Sequence, residues 1–155
     1  MIPLKQIDAL PIPKRRLERR RRSAQLTWIA AEMKTVKIAL VGYGNVGRAF
    51  VQMLEKRRDF LAERYHSKAE IVAVCTRSRG ALVEPSGLDA AEIDSRPFTK
   101  EQTAFDVIDQ VDYDVMMELT PINIRTGQPA IDHIKHALQR GKHVITANKG
   151  PIARA

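Results

Sequence analysis

An open α/β fold with a doubly wound, mostly parallel sheet is what this 155-residue sequence predicts. Three observations carry that expectation. Short runs rich in Val, Ile and Leu recur from residue 36 onward, each with the length of a buried parallel strand. Stretches with helical apolar spacing lie between them. Parallel strands joined through helices need crossovers, and right-handed crossovers place helices on both faces of the sheet.

Residues 36–41 are the first strand, which ends at Gly42. Val46, Phe50, Met53 and Leu54 then form one apolar stripe of a helix. Residues 70–75 are the second strand. Residues 76–98, which include Gly80, Pro85, Gly87 and Pro97, read as loop. Thr99-x-x-Gln102 predicts a capping box at the start of a helix with Phe105, Ile108 and Val111 on one face. Asp112-Tyr113-Asp114 ends that helix, and residues 115–119 are the third strand. Pro129 suits the first turn of the next helix. Its buried side is expected at Ile131, Ile134 and Leu138, with Gly141 at the C′ position. Residues 143–147 are the fourth strand.

Composition narrows the class. With 44% hydrophobic and 28% charged residues the chain is average for a globular protein. No apolar run approaches the 18 residues or more of a membrane span. Cys75 stands alone, so no disulfide framework exists, and a reducing cytoplasm is the expected location. The net charge of +8 is uneven: residues 1–33 hold 8 Lys/Arg against 3 Asp/Glu. This leader is interrupted by Pro3, Pro11 and Pro13 and carries Arg19 to Arg22 in succession, which favours an open chain. Three readings fit it: an arm for nucleic acid or another anionic surface, a solvated tail, or non-native sequence ahead of a true start at Met33. The third is favoured because Met33 immediately precedes the first strand. The folded domain is accordingly expected over residues 34–155.

The turn after the first strand reads Gly42-Tyr43-Gly44-Asn45-Val46-Gly47, a match to G-x-G-x-x-G. The pattern alone is weak, but here it follows a strand and opens an amphipathic helix. Gly42 permits the tight turn, Gly44 lets a diphosphate reach the backbone, and Gly47 lets helix and strand pack closely. The helix N-terminus adds unpaired N–H groups and partial positive charge. These features predict the Rossmann-type dinucleotide-binding fold, with a purely structural turn as the alternative. NAD-specific sites usually end the second strand with a carboxylate. Here Cys75-Thr76-Arg77-Ser78-Arg79-Gly80 offers two arginines instead. Either they grip the 2′-phosphate of NADP or they face solvent. The first reading makes NADP the expected cofactor, with NAD the alternative.

Asp114-Val-Met-Met-Glu118-Leu-Thr120-Pro121 and Gly141-Lys-His-Val-Ile-Thr146-Ala-Asn148-Lys149-Gly150-Pro151 are more distinctive. With the glycine turn and Ser78-Arg79-Gly80, they resemble the N-terminal nucleotide-binding domain of homoserine dehydrogenases. The resemblance spans residues 34–153. It implies an oxidoreductase that interconverts aspartate semialdehyde and homoserine with NAD(P)H, on the route to threonine and methionine. It also implies that Tyr43, Asn45 and Val46 line the cofactor beside the glycines and that Thr120 sits near the nicotinamide. Lys149 becomes the lysine implicated in proton transfer. Many relatives carry aspartate at the position of Arg77, so this departure favours NADP.

The residues themselves agree on Lys149. It follows the fourth strand, and open α/β sheets bind ligands beyond the carboxyl ends of their strands. An ammonium there can stabilise charge arriving on a carbonyl oxygen with hydride. Glu118 is read as structural, and His133 with His136, three apart, as no metal site. Family members continue into a substrate-binding and dimerising domain, so the chain is expected to be a truncated form, inactive alone. Two alternatives are a non-catalytic dinucleotide-binding module and a nucleic-acid protein acting through its arginine arm.

Overall fold

A computed structural model of the chain describes residues 33–154. The leader, residues 1–32, lies outside them, as do the readings placed on it. Strand β1 (Lys34–Val41) leads through helices α1 (Asn45–Lys56) and α2 (Arg58–Tyr65) to β2 (Ser67–Thr76). A hairpin adds β3 (Gly80–Val83), and α3 (Ala104–Gln110) returns the chain to β4 (Val115–Glu118). Helix α4 (Ala130–Gln139), β5 (His143–Thr146) and the short α5 (Lys149–Arg154) complete the order.

The sheet has five strands in the order β3-β2-β1-β4-β5. All neighbours pair in parallel except β2 with β3. This is the doubly wound, mostly parallel sheet, built outward from the most apolar strands. Leu40, Val72 and Val74 are wholly buried, and burying each such branched side chain contributes about 1.5–3 kcal/mol. Alternate residues of β1 feed two cores. Ala39 and Val41 pack toward α3 and α4, whereas Ile38 and Leu40 pack with Val51 and Leu54 of α1. An extra residue, Val72, enters β2 where the register shifts between Ile38 and Ala39. Beyond it Ala73 and Cys75 share the core of their partners Ala39 and Val41.

Several local expectations need correction. Residues 80–83 are strand, not loop, because the turn at residues 77–79 folds β3 antiparallel onto β2. The capping box belongs to Thr103 and Asp106, four residues later than expected. The Thr103 N–H donates to Asp106 Oδ2 at 2.7 Å, and Thr103 Oγ1 accepts from the Asp106 N–H at 3.3 Å. Thr99 instead exchanges backbone hydrogen bonds with Ala81. Leu138 is 56% exposed; the buried side of α4 is Ala130, Ile131, His133 and Ala137. Gly141 does end α4: at φ +70° its N–H reaches Leu138 O, and the Lys142 N–H reaches Ala137 O.

Candidate dinucleotide-binding site

The register brings the carboxyl ends of four parallel strands level. Val41 of β1 stands beside Cys75 of β2 and Glu118 of β4, and Glu118 stands beside Thr146 of β5. From β1 the chain winds outward to β2 on one side and later to β4 on the other. The loops after β1 and β4 therefore part, and the gap between them is where such sheets bind ligands.

The glycine turn forms one wall of that gap. Gly42 has φ +108°, and a Cβ on it would lie 2.6 Å from the carbonyl group of Leu119. A Cβ on Gly47 would lie 2.8 Å from the Gly42 carbonyl oxygen. The protein's own packing thus demands glycine at both positions. Gly44 differs, because a Cβ there would meet nothing within 4 Å and its φ is an ordinary −91°. What the protein leaves open above Gly44 is room for a ligand to reach the backbone. Gly44 is also the N-cap of α1, with no side-chain cap bond and no acid in the first turn. The helix N–H groups are left for an anion, which fits the diphosphate of a dinucleotide.

A cleft of about 300 Å³ adjoins this turn, walled by Val46, Thr120, Ile122, Asn148 and Lys149. Its far side is held by Glu118, which is wholly buried. Glu118 Oε1 accepts from both the N–H of Thr120, at 3.0 Å, and its hydroxyl. Glu118 Oε2 accepts from Thr146 Oγ1 at 3.0 Å. Asn148 continues the network: its N–H donates to Thr146 Oγ1, its Nδ2 to Thr120 O, and its Oδ1 accepts from the Gly150 N–H. Lys149 is exposed between these buried neighbours, so a satisfied polar network fixes its backbone at the cleft edge.

The β2 end of the site is charged. Arg77 and Ser78 are exposed in the hairpin turn. Arg79 is engaged: its guanidinium lies 3.8 Å from the Phe98 ring centroid. It also donates to Asp94 Oδ1 at 3.3 Å and to Asp94 O at 3.2 Å. Asp94 Oδ2 accepts from Arg48 of α1, whose guanidinium stands 4.7 Å over the Tyr43 ring. Burial pushes the Tyr43 phenol pKa up; Asp94 adds to the rise while Arg48 and Arg79 oppose it. The glycine turn and the charged cluster are therefore neighbours. Arg48, Asp94 and Phe98 escaped the sequence reading, Asp94 and Phe98 because nothing in the intervening sequence signals that their segment folds back onto the turn.

The two histidines of α4 belong to helix packing. His133 is 3% exposed against the edge of Phe105, and burial holds its pKa below the usual value against an opposing pull from Glu118. His136 pairs with Asp109 at 3.3 Å. No group of three or more metal-ligating side chains is found among the described residues. No described helix is long and apolar enough to cross a membrane. A second cleft, of about 350 Å³, lies between α1, α2 and the amino-terminal half of β2, away from the carboxyl ends of the strands.

A parallel sheet whose switch point carries a glycine turn, an uncapped helix and an open cleft defines a dinucleotide-binding domain. Comparison with known proteins narrows the class. A family model described as "Homoserine dehydrogenase, NAD binding domain" matches residues 42–155. Homoserine dehydrogenase of Methanocaldococcus jannaschii is 38% identical over 127 residues, 75% of this chain and 37% of the relative. An NAD(+)-dependent homoserine dehydrogenase of Pseudomonas canavaninivorans is 36% identical over 78% of this chain and 38% of its own length. Among solved structures, a putative homoserine dehydrogenase from Archaeoglobus fulgidus superposes with a TM-score of 0.62 at 27% identity, covering 76% of this chain and 35% of that one. The chain belongs to the homoserine dehydrogenase family and corresponds to its NAD-binding domain. It spans under two-fifths of the length of these curated relatives.

Proposed function

We propose that this chain is the NADP-preferring nucleotide-binding portion of a homoserine dehydrogenase, an enzyme interconverting L-aspartate 4-semialdehyde and L-homoserine. The observation that carries the reading is the open backbone at Gly44, two residues from Val46, which walls the same cleft as Thr120 and Lys149. In this reading Gly42, Gly44 and Gly47, with Tyr43, Asn45 and Val46, hold the diphosphate and the adjoining ribose. Arg77 and Arg79 take the 2′-phosphate, and Thr120 borders the nicotinamide. When bound, the nicotinamide supplies or accepts the hydride. Lys149 is the catalytic residue: its ammonium donates a hydrogen bond to the substrate's carbonyl oxygen, stabilises the negative charge that develops there, and gives that oxygen a proton in the reducing direction. Substrate-holding groups and subunit contacts are assigned to the part of the relatives that this chain does not cover. Cytoplasmic location belongs to the same proposal, and the lone thiol agrees with it.

A hydrogen bond to a charged group contributes about 1.5–3 kcal/mol, so one good arginine contact implies roughly a tenfold to hundredfold preference for NADPH over NADH. Titration of the chain with each cofactor, followed by nicotinamide fluorescence, tests it. Tighter NADPH binding, shifted toward NADH by Arg77→Asp, is the expected result. Equal affinities would remove Arg77 and Arg79 from the site, and no binding of either cofactor would overturn the whole reading.

A further inference from the structure

We propose that Asp94 is a specificity-determining residue: a built-in counter-ion on Arg79 and Arg48 that competes with the cofactor's 2′-phosphate and sets the preference between NADP and NAD. The proposal rests on the dinucleotide reading above and deepens it.

The geometry makes Asp94 a fixed acid. Its neighbour Ile93 is wholly buried in the core beside Leu40 and Val74. The Asp89–Ser95 segment is turned on itself, with the Glu92 N–H donating to Asp89 O and the Ser95 N–H to Glu92 O. Farther on, Thr99 is clamped to Ala81 by two backbone hydrogen bonds of 2.7 and 3.0 Å, which pins Phe98 beside the β2–β3 turn. A Cβ on Gly80 would lie 2.1 Å from the Thr99 carbonyl oxygen, so turn and segment are in close contact. Phe98 then holds the Arg79 guanidinium by its face, and Asp94 meets both that guanidinium and Arg48.

Stability gives little reason for this arrangement. The side chains of Arg48, Asp94 and Arg79 are 41%, 52% and 35% exposed, and exposed ion pairs contribute little to folding. Its place gives a better one. The cluster joins Tyr43 of the glycine turn, the first helical turn of α1 and the end of β2, which is where this fold seats the adenosine ribose. There the two arginines share one carboxylate, and Arg77, two residues before Arg79, is exposed in the same turn. A 2′-phosphate is a better partner for such a pair than a carboxylate, because it brings more charge and more acceptor oxygens. It must nonetheless displace or share with Asp94. A cofactor with a free 2′-hydroxyl faces no such competition.

Calorimetry of the full chain with adenosine 2′,5′-bisphosphate and with adenosine 5′-monophosphate reads this without any need for turnover. Asp94→Asn should tighten the bisphosphate by about tenfold or more and change the monophosphate by less than about twofold. The gain should shrink as salt rises, as expected for exposed charges. Asp94→Ser serves if the asparagine variant folds poorly, which the thermal midpoint would report. An unchanged ratio of the two affinities, or an equal loss for both nucleotides, overturns the role of Asp94 while wild-type binding leaves the dinucleotide site standing. Failure of the wild-type chain to bind either probe overturns the dinucleotide reading, and the role of Asp94 with it.

Discussion

Thr146 and Glu118 face each other across β5 and β4, and the threonine hydroxyl donates to Glu118 Oε2 at 3.0 Å. The other carboxyl oxygen takes both the N–H and the hydroxyl of Thr120. One wholly buried acid thus ties the loop after β4 to the turn that carries Asn148 and Lys149. Leaving a buried polar group unpaired is costly, so the acid and its donors depend on one another.

Glu118→Ala should accordingly destabilise the domain by about 2–4 kcal/mol, from orphaned hydroxyl groups and the space left behind. Glu118→Gln keeps an acceptor and most of the volume and should cost less than half as much. Urea unfolding monitored by circular dichroism orders the two. Similar losses for both variants would mean that volume and a single acceptor are not enough, and that both carboxylate oxygens are needed to hold the two loops together.

The glycine turn should separate stability from binding. Gly42→Ala forces a side chain into positive φ against the Leu119 backbone and should cost at least about 2 kcal/mol. Gly44→Ala meets no protein atom and should leave stability within about 0.5 kcal/mol. Its NADPH affinity should nevertheless fall about tenfold or more, because the methyl group occupies the space a diphosphate needs. Parallel thermal melts and fluorescence titrations check both. A Gly44→Ala variant that binds NADPH normally would move the diphosphate away from that backbone.

Much of this was legible because burial on both sheet faces imposes long apolar runs. The strands β1, β2, β4 and β5 stood out for that reason, and the glycine turn stood out because it joins a strand to a helix. Helix α2 did not, since none of its residues is buried and no apolar stripe marks it. Strand β3 has four residues, the first of them Gly80, and Pro85 and Gly87 follow closely, so its pairing depends on β2 and not on its own pattern. Thr99 and Thr103 each precede a polar residue three positions on, and only the tertiary pairing of Thr99 with Ala81 decides between them. The Asp94 link to Arg48 and Arg79 joins residues 46 and 15 positions apart, a juxtaposition that no local pattern encodes.

Cys75 should be silent in the folded chain. It lies one residue before the end of β2, inside the core, and burial pushes its thiol pKa up to about 11, with a further push from Asp106. The thiolate is the reactive form, so at neutral pH roughly one molecule in ten thousand carries it. An aromatic disulfide reagent should find almost no thiol in the native protein and one equivalent after denaturation. Rapid native labelling would show that the β2 end opens readily.

The last prediction concerns pH. His133 is buried against Phe105 with its Nδ1 unpaired, and desolvation lowers its pKa from the ordinary 6.5. Glu118 and Asp132 pull the other way, and His136 adds to the lowering. Below pH 6.5 the unfolded chain binds the proton that the folded chain resists, so stability rises with pH across that range. The contribution of the neutral ring is complete above about pH 6.5 and is lost as pH falls toward the depressed folded value. One proton limits the slope to about 1.4 kcal/mol per pH unit. His133→Leu removes the proton site along with the unpaired nitrogen. It should match the wild-type midpoint near pH 7.5 and lose less stability between pH 6.5 and 5. The remaining histidines are common to both proteins, so their difference isolates position 133. Parallel pH curves for the two proteins would show that His133 already finds a partner for its proton in the folded state.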